Sequence, residues 1–488
     1  MPYSIGSIQV HQAPLDPPEN DPRYDNDKPS VTLLPKGHRK DPASAPFEVD
    51  SIYEKDGVYT LRDGVKIRAD VVRPADESIP VPALIAWSPY GKGGRGFFRL
   101  DLVQGRVGIP KDRLSNCEKF EAPDPAEWTA RGYAIVNVDS RGSWDSEGDL
   151  VHPTMNEYWA DKRAKVENID IPIYAVASYS TALHTFGSFR GFSQAPSKEK
   201  WLRVHATQEW HDLYQHSTND DLQKFFDHYL KAMNNGWEKT PKVRVSLLRY
   251  HQEPIINHVF PEWPVPSTTF KTLYLNPDGV LTEEPSKSED VMSYQSDAPS
   301  FQVDEDPEEL RFSFEFKKPS VLLGNARAAL YVSCNDHDDM DVWVQLRKLD
   351  RTGKLLQNIN IPSKDTGLAD EEVERSNPLV YLGPTGVLRA SHRRIDPETS
   401  TAQFPEHDYV HTDKIPPGTI VELQIGLWQT GITFEAGEKL MLKVSGHNMV
   451  LAEFPPLRGK ESQENRGVHH VHMSGATPSS ITIPLVSL

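Results

Sequence analysis

Cysteine is nearly missing from this chain: Cys117 and Cys334 are the only two in 488 residues. They stand far apart and in no CxxC spacing, which argues against a disulfide scaffold and a cysteine-based zinc site. No run of 18 apolar residues occurs, so no segment reads as a membrane-spanning helix. The opening MPYSIGSIQVHQAPLDPP lacks a basic n-region and an apolar h-region, and no Asn-x-Ser/Thr sequon is present. A cytoplasmic, soluble protein is the expectation. Positive charge is also short. Lys and Arg number 53 against 70 Asp and Glu, a net charge of -17. That balance argues against nucleic acid or an anionic membrane as partner. Tandem repeats and low-complexity stretches are absent.

What is present suits a globular protein of two or three domains, with 37% hydrophobic and 25% charged residues. Residues 1–46, rich in Pro, Asp and Asn, read as an extended arm. Gly57–Leu61 and Val65–Val72 read as strands around the Asp63-Gly64 turn. Pro82–Trp87, Tyr133–Val138 and Ile171–Ala177 read as buried parallel strands, and Trp201–His205 as a further strand. Helical patterns end near Arg131 and run over 155–166, 182–192 and Leu222–Met233, with Gly236 as the terminator of the last. From about Thr268 the texture becomes all-β, with Gly, Pro and Asp turns between strands. The expected architecture is α/β over 47–265 followed by a β-sandwich over 266–488.

Certain stretches resemble a known family in order: LRDGVKIRADVVRP, SPYGK, VNVDSRGSWDSEGDL, NIDIPIYAVASY, LQKFFDHYLKAMNNGWEKTPKVRVSLL and TLYLNPDG. VELQIGLWQTGITFEAGEKLMLKVSG and SSITIPLV follow. The chain is similar to the cocaine esterase-like (CocE/NonD) and X-Pro dipeptidyl-peptidase (S15) family of α/β-hydrolases. The resemblance implies a hydrolase-derived domain, a C-terminal jelly roll, and ester or amide hydrolysis through an acyl-serine. Small-molecule esters or amides are the implied substrates, and no cofactor is implied.

That chemistry needs a serine on a sharp strand-to-helix turn, a histidine base, an orienting acid and oxyanion donors. By resemblance, the serine segment belongs between the DSRG…SEG loop and the helix before Ile171. Only Asp149–Thr154 separates Gly148 from Met155 there, too few residues for a βα unit. The acid belongs in Ser178-Tyr179-Ser180-Thr181, which has no carboxylate. Tyr90 matches the tyrosine that helps form the oxyanion hole; a buried tyrosine with a satisfied hydroxyl is the alternative. His205 and His211 both stand where the triad histidine belongs, with ordinary half-buried histidine as the alternative. Asp139, Arg141, Ser146 and Glu147 match a loop that is mainly structural in the family, so internal ion pairing is preferred.

Ser178 follows a strand and precedes a helix, as an elbow serine does, but Val176 and Ser180 stand where the turn calls for glycine. Asp336-His337-Asp338-Asp339 with Asp341 lacks the glycine-containing calcium loop and reads as a turn. His469, His470 and His472 read as strand residues, with His470 and His472 on one face, and no metal is assigned. The expectation is therefore a pseudoenzyme candidate. The alternatives are a non-catalytic ligand- or partner-binding descendant and a truncated gene model of an active hydrolase. Losing a central strand either closes the sheet, pairing Ile171–Ala177 with Ala83–Trp87, or leaves two open edges. Open edges point to instability or a homo-oligomer.

Overall fold

The computed structural model describes residues 3–5, 8–10, 29–88, 90–92, 100–142, 146, 164–451, 464–473 and 475–488. The expected elbow interval Asp149–Thr154, the helix expected to start at Met155, and Glu147 lie outside them. In chain order come β1 (Ser30–Leu34), β2 (Ser51–Thr60), β3 (Lys66–Pro74), β4 (Ala83–Ser88), α1 (Pro125–Ala130) and β5 (Ala134–Asp139). Then follow β6 (Ile173–Ser178), α2 (Ala182–Gln194), β7 (Lys200–His205), α3 (His216–Leu230), β8 (Val243–Leu247) and β9 (Ile255–Phe260). The remaining strands, from Thr269 to Val486, are all antiparallel to their partners apart from two isolated parallel bridges, Leu248 to Ile432 and Val280 to Ser313.

Two compact units divide the chain. One comprises Met1–Ala164, Trp210–Lys239 and Lys364–Gly367; the other comprises Lys165–Glu209, Thr240–Ser363 and Leu368–Leu488. The first holds a five-stranded sheet in the order β1-β2-β3-β5-β4, in which only β4 and β5 run parallel. Gly64, at φ +87°, makes the β2–β3 turn where the Asp-Gly pair predicts it. Asp124 caps α1 by accepting the Glu127 N–H at 3.1 Å, with Pro125 at the first helical position and Gly132 closing the end at φ +78°. Trp128, Tyr133, Ile135 and Leu84 bury together under this helix.

The second unit carries a four-stranded sheet, β9-β8-β7-β6, whose β6, β7 and β8 are parallel. It also holds the jelly-roll sandwich of a nine-stranded and a five-stranded sheet. Leu202, Val204 and Val245 of the parallel strands share one continuous core with Leu273, Phe312, Leu330, Val344, Leu442 and Ile481 of the sandwich.

Four expectations need correction. Ile171–Ala177 does not pair with Ala83–Trp87. Among the described residues β4 pairs only with β5 and β6 only with β7. Ala83–Ser88 is a strand, but it is not buried on both faces, since Ile85 is 64% and Trp87 58% exposed. Ile171 likewise lies outside its strand and is exposed. Gly236 does not end the long helix: α3 stops at Leu230, and Ala232 takes the left-handed conformation at φ +52°.

Candidate active site

In a hydrolase sheet, function gathers at the C-terminal ends of parallel strands, where loops turn into helices. In the second unit those ends belong to β6 and β7, and Ser178 and His205 close them as direct cross-strand partners. The structure thus brings together two residues singled out in the sequence, although it does not make them a dyad. The Ser178 hydroxyl donates toward the Thr207 carbonyl at 2.9 Å and lies 2.8 Å from the Ser180 hydroxyl. It accepts the Ser180 N–H at 3.1 Å. The Ser180 hydroxyl also donates to the Thr207 carbonyl, at 3.2 Å. His205 turns Nδ1 toward the Thr207 hydroxyl at 3.3 Å. Thr207, which nothing in the sequence flagged, is therefore the hub of this corner.

Ser178 is also buried, and its backbone stays in the strand rather than in the left-handed or strained region expected of an elbow. Tyr179 is sealed in the core, and burial pushes its hydroxyl well above the ordinary tyrosine range. A corner built this way holds its hydroxyls on a backbone carbonyl.

Tyr90 and His211 belong to the other unit. The Tyr90 hydroxyl points at Glu121 Oε1, 3.4 Å away, and the same oxygen accepts the Trp210 Nε1–H at 3.0 Å. Phe120 stands edge-on to Tyr90, with centroids 4.9 Å apart, and packs on Trp210 at 5.0 Å. Glu121 adopts φ +62°, which an isolated residue pays for in strain. No sequence pattern marks a non-glycine residue for that conformation, and so Glu121 went unnoticed. His211 lies next to Trp210 on the short helix Glu209–Leu213; burial lowers its pKa, and Gln215 donates to its carbonyl at 2.9 Å.

The DSRG loop is an ion-pair network. Asp139, buried at the end of β5, accepts the Lys92 N–H at 2.6 Å and its ammonium at 2.8 Å. Lys92 also reaches Asp56 at 3.2 Å, and Arg68 pairs with Asp56 at 2.6 Å. Ser146 ties β3 to this loop, accepting the Arg68 N–H and donating to the Asp139 carbonyl, each at 2.8 Å. Arg141 pairs with Asp63 at 2.5 Å.

In the sandwich the acidic turn is consumed by neighbours. Asp341 takes Arg389 with two contacts of 2.8 Å, Asp339 accepts the Ser391 N–H at 2.9 Å, and Asp336 accepts the Val468 N–H at 3.2 Å. His470 lies 2.8 Å from the Ser293 hydroxyl and His472 2.9 Å from that of Ser333, while His469 faces inward against Tyr294. Burial lowers the pKa of His469 to about 4.

The model of the X-Pro dipeptidyl-peptidase C-terminal non-catalytic domain matches residues 235–482, and that of the X-Pro dipeptidyl-peptidase S15 family matches residues 63–153. No curated protein matches the chain. Among solved structures, a CocE/NonD family hydrolase from Staphylococcus aureus is 24% identical, with a TM-score of 0.79 over 94% of this chain and 97% of that one. An aminopeptidase from the marine sediment archaeon Thaumarchaeota archaeon is 14% identical, with a TM-score of 0.53 over 89% and 97%. An α-amino acid ester hydrolase is 14% identical, with a TM-score of 0.54 over 90% and 97%. With one family model matching more than half its length and a second matching residues 63–153, the chain belongs to the X-Pro dipeptidyl-peptidase family, and its fold is that of the CocE/NonD family hydrolase.

Proposed function

We propose that this chain is a non-catalytic member of its family, one that carries out no acyl-serine chemistry and retains the hydrolase scaffold for binding a small ester- or amide-type ligand. The observation that carries this reading is the Ser178 corner, where the hydroxyl at the strand-to-helix turn donates to the Thr207 carbonyl. A nucleophile needs its proton held by a base and the base oriented by an acid. Here no carboxylate follows Ser178 through Thr181. Tyr90 fits the same reading, because its hydroxyl is directed at a carboxylate and not presented to a developing oxyanion.

The test is labelling of the purified chain with a fluorophosphonate probe. Negligible labelling is expected, unchanged in Ser178→Ala. Stoichiometric labelling that Ser178→Ala abolishes overturns the reading.

A second reading draws on one specific observation. The S15 match stops at residue 153, within the short interval between Gly148 and Met155. A longer gene product with an elbow-bearing segment inserted there would be the active hydrolase. Sequencing the transcript across those codons decides it: an in-frame Gly-x-Ser-Tyr segment favours this reading, and uninterrupted coding sequence favours the first.

A further inference from the structure

Asparagine followed by glycine occurs once in this chain, at Asn235-Gly236, a pair that the functional reading does not use. It lies in the first unit just beyond α3, where Ala232 turns the chain off the helix at φ +52°. Both residues are half-buried, within reach of water. The Asn235 side chain is fixed at both of its polar atoms. Its Nδ2 donates to the Lys224 carbonyl of α3 at 2.7 Å, and its Oδ1 accepts the Trp237 N–H at 3.1 Å. The second contact is an Asx turn, which curls the side-chain amide back over the peptide nitrogen of Gly236. Gly236 stands at φ +76°, with open space where a Cβ would be. Among the described residues no acceptor takes its N–H.

An amide carbon, a peptide nitrogen with no side chain to shield it, and an N–H aimed at the amide oxygen are the parts of an intramolecular acyl transfer. Holding nitrogen and carbon in one turn supplies proximity. The Trp237 N–H favours the negative charge that grows on Oδ1 during attack.

We propose that Asn235 is a self-modifying site: in the folded chain it loses its amide to the Gly236 nitrogen through a cyclic imide, and the product loosens the closure of α3. The Gly236 N–H proton passes to solvent as the nitrogen bonds to Cγ of Asn235. The Cγ–Nδ2 bond breaks, and Nδ2 takes a proton from water and leaves as ammonia. Water then opens the imide at either carbonyl, leaving an aspartyl or an isoaspartyl linkage before Gly236. The net change is amide and water to acid and ammonia, with no oxidation or reduction.

The product cannot keep the contact with α3. A carboxylate has no N–H for the Lys224 carbonyl, and the two acceptors would face each other across the former hydrogen bond. Trp237, fully buried, packs on Phe225 of α3 with ring centroids 5.3 Å apart, two residues along from the bond that is lost.

The experiment is peptide mapping of the full chain after incubation in warm, mildly alkaline buffer. The peptide holding position 235 is expected to convert from amide to acid faster than any other asparagine peptide, with both aspartyl and isoaspartyl forms present. Gly236→Ala, which meets open space but some strain at that φ, is expected to slow conversion several-fold. Asn235→Gln is expected to abolish it, because its longer side chain closes the ring poorly. Asn235→Asp reproduces the charge of the product and is expected to lower the melting midpoint by about 2 °C. Three results overturn the proposal. One is an intact Asn235 in the folded chain under conditions where the urea-unfolded chain converts it. Another is conversion no faster than at exposed Asn234, whose following residue carries a side chain. The third is a melting midpoint that Asn235→Asp leaves unchanged, which removes the effect on α3.

Discussion

In the sandwich, Lys443 lies 2.8 Å from Glu309 with both side chains essentially shut off from water, and Lys348 lies 2.8 Å from Glu438. Arg347 is buried against Asp304 in the same way. Around α1 the pattern is inverted, because the buried carboxyl of Glu118 meets Asp124, a group of its own sign. The sandwich cations project from strands into a space that loop carboxylates reach from the side, so each buried charge finds its opposite. Asp124 instead is committed to the helix, accepting the Glu127 N–H and both the N–H and the hydroxyl of Ser115. Three donors hold its charge, and the proton of the pair therefore resides on Glu118. Matched burial balances the sandwich's charges without a bound proton. Like-charge burial makes the α1 region sensitive to pH.

The largest effect is expected in the sandwich. Among the described residues, Lys443→Met leaves buried Glu309 with Arg311, 3.1 Å away, as its remaining ion-pair partner. Removing one member of a buried pair costs about 3 to 5 kcal/mol, and the remaining arginine places this one near about 3 kcal/mol. Denaturant unfolding of the Lys443→Met chain measures it, and Glu309→Gln in the same chain is expected to restore part of the loss. A change below about 1 kcal/mol would remove the contrast between the sandwich and the α1 region.

A smaller effect, with a pH signature, is expected beside α1. Burial, and then the charge of Asp124, push Glu118 up to about 8. A carboxyl whose folded pKa lies above its unfolded value contributes stability at low pH and loses it as pH rises toward the folded pKa. The wild-type chain should therefore lose stability between about pH 4.5 and pH 8 relative to Glu118→Gln, whose neutral amide can donate to Asp124 as the protonated acid does. The expected gain for Glu118→Gln is on the order of 2 kcal/mol at pH 8 and close to zero at pH 4. Melting transitions across that pH series check it, and a pH-independent difference would mean that Glu118 is not the titrating group.

The same contrast marks how far the sequence could be read. Strand identity was legible wherever apolar runs met turn signals, and so was the change of texture near Thr268. The hairpin at Asp63-Gly64 and the all-β region carried their own local chemistry. What an apolar run does not encode is what lies beside it. ALIAWS reads as a central strand because Leu, Ile and Trp suit burial on both faces, but Ile85 and Trp87 are exposed and, among the described residues, only β5 pairs with their strand. The candidate site divided in a similar way. Ser178 and His205 were placed correctly at strand ends by periodicity. Thr207 and Glu121, which decide what those ends hold, are ordinary residues whose importance comes from tertiary contacts. The absence of an acid after Ala177 needed no structure, since composition alone shows it.

The smallest expected effect tests whether the Ser178 corner is structural. Tyr179, next to Ser178, points into the shared core of the second unit, 6.5 Å between ring centroids from Tyr381. Its hydroxyl is buried with no hydrogen-bond partner among the described residues. It sits so close over Gly431 that a Cβ there would collide with it. A buried hydroxyl without a partner costs about 1 to 3 kcal/mol of desolvation, which phenylalanine does not incur. Tyr179→Phe is therefore expected to stabilise the chain by about 1 kcal/mol, part of the gain being offset by the small void left behind. Gly431→Ala is expected to destabilise it, and less so in the Tyr179→Phe background, because one of the two colliding groups is gone. The coupling in that double-mutant cycle is the quantity to measure. If Tyr179→Phe instead lowers stability or diminishes ligand binding, the hydroxyl has a partner of its own, and the corner around Ser178 holds something more than a packed core.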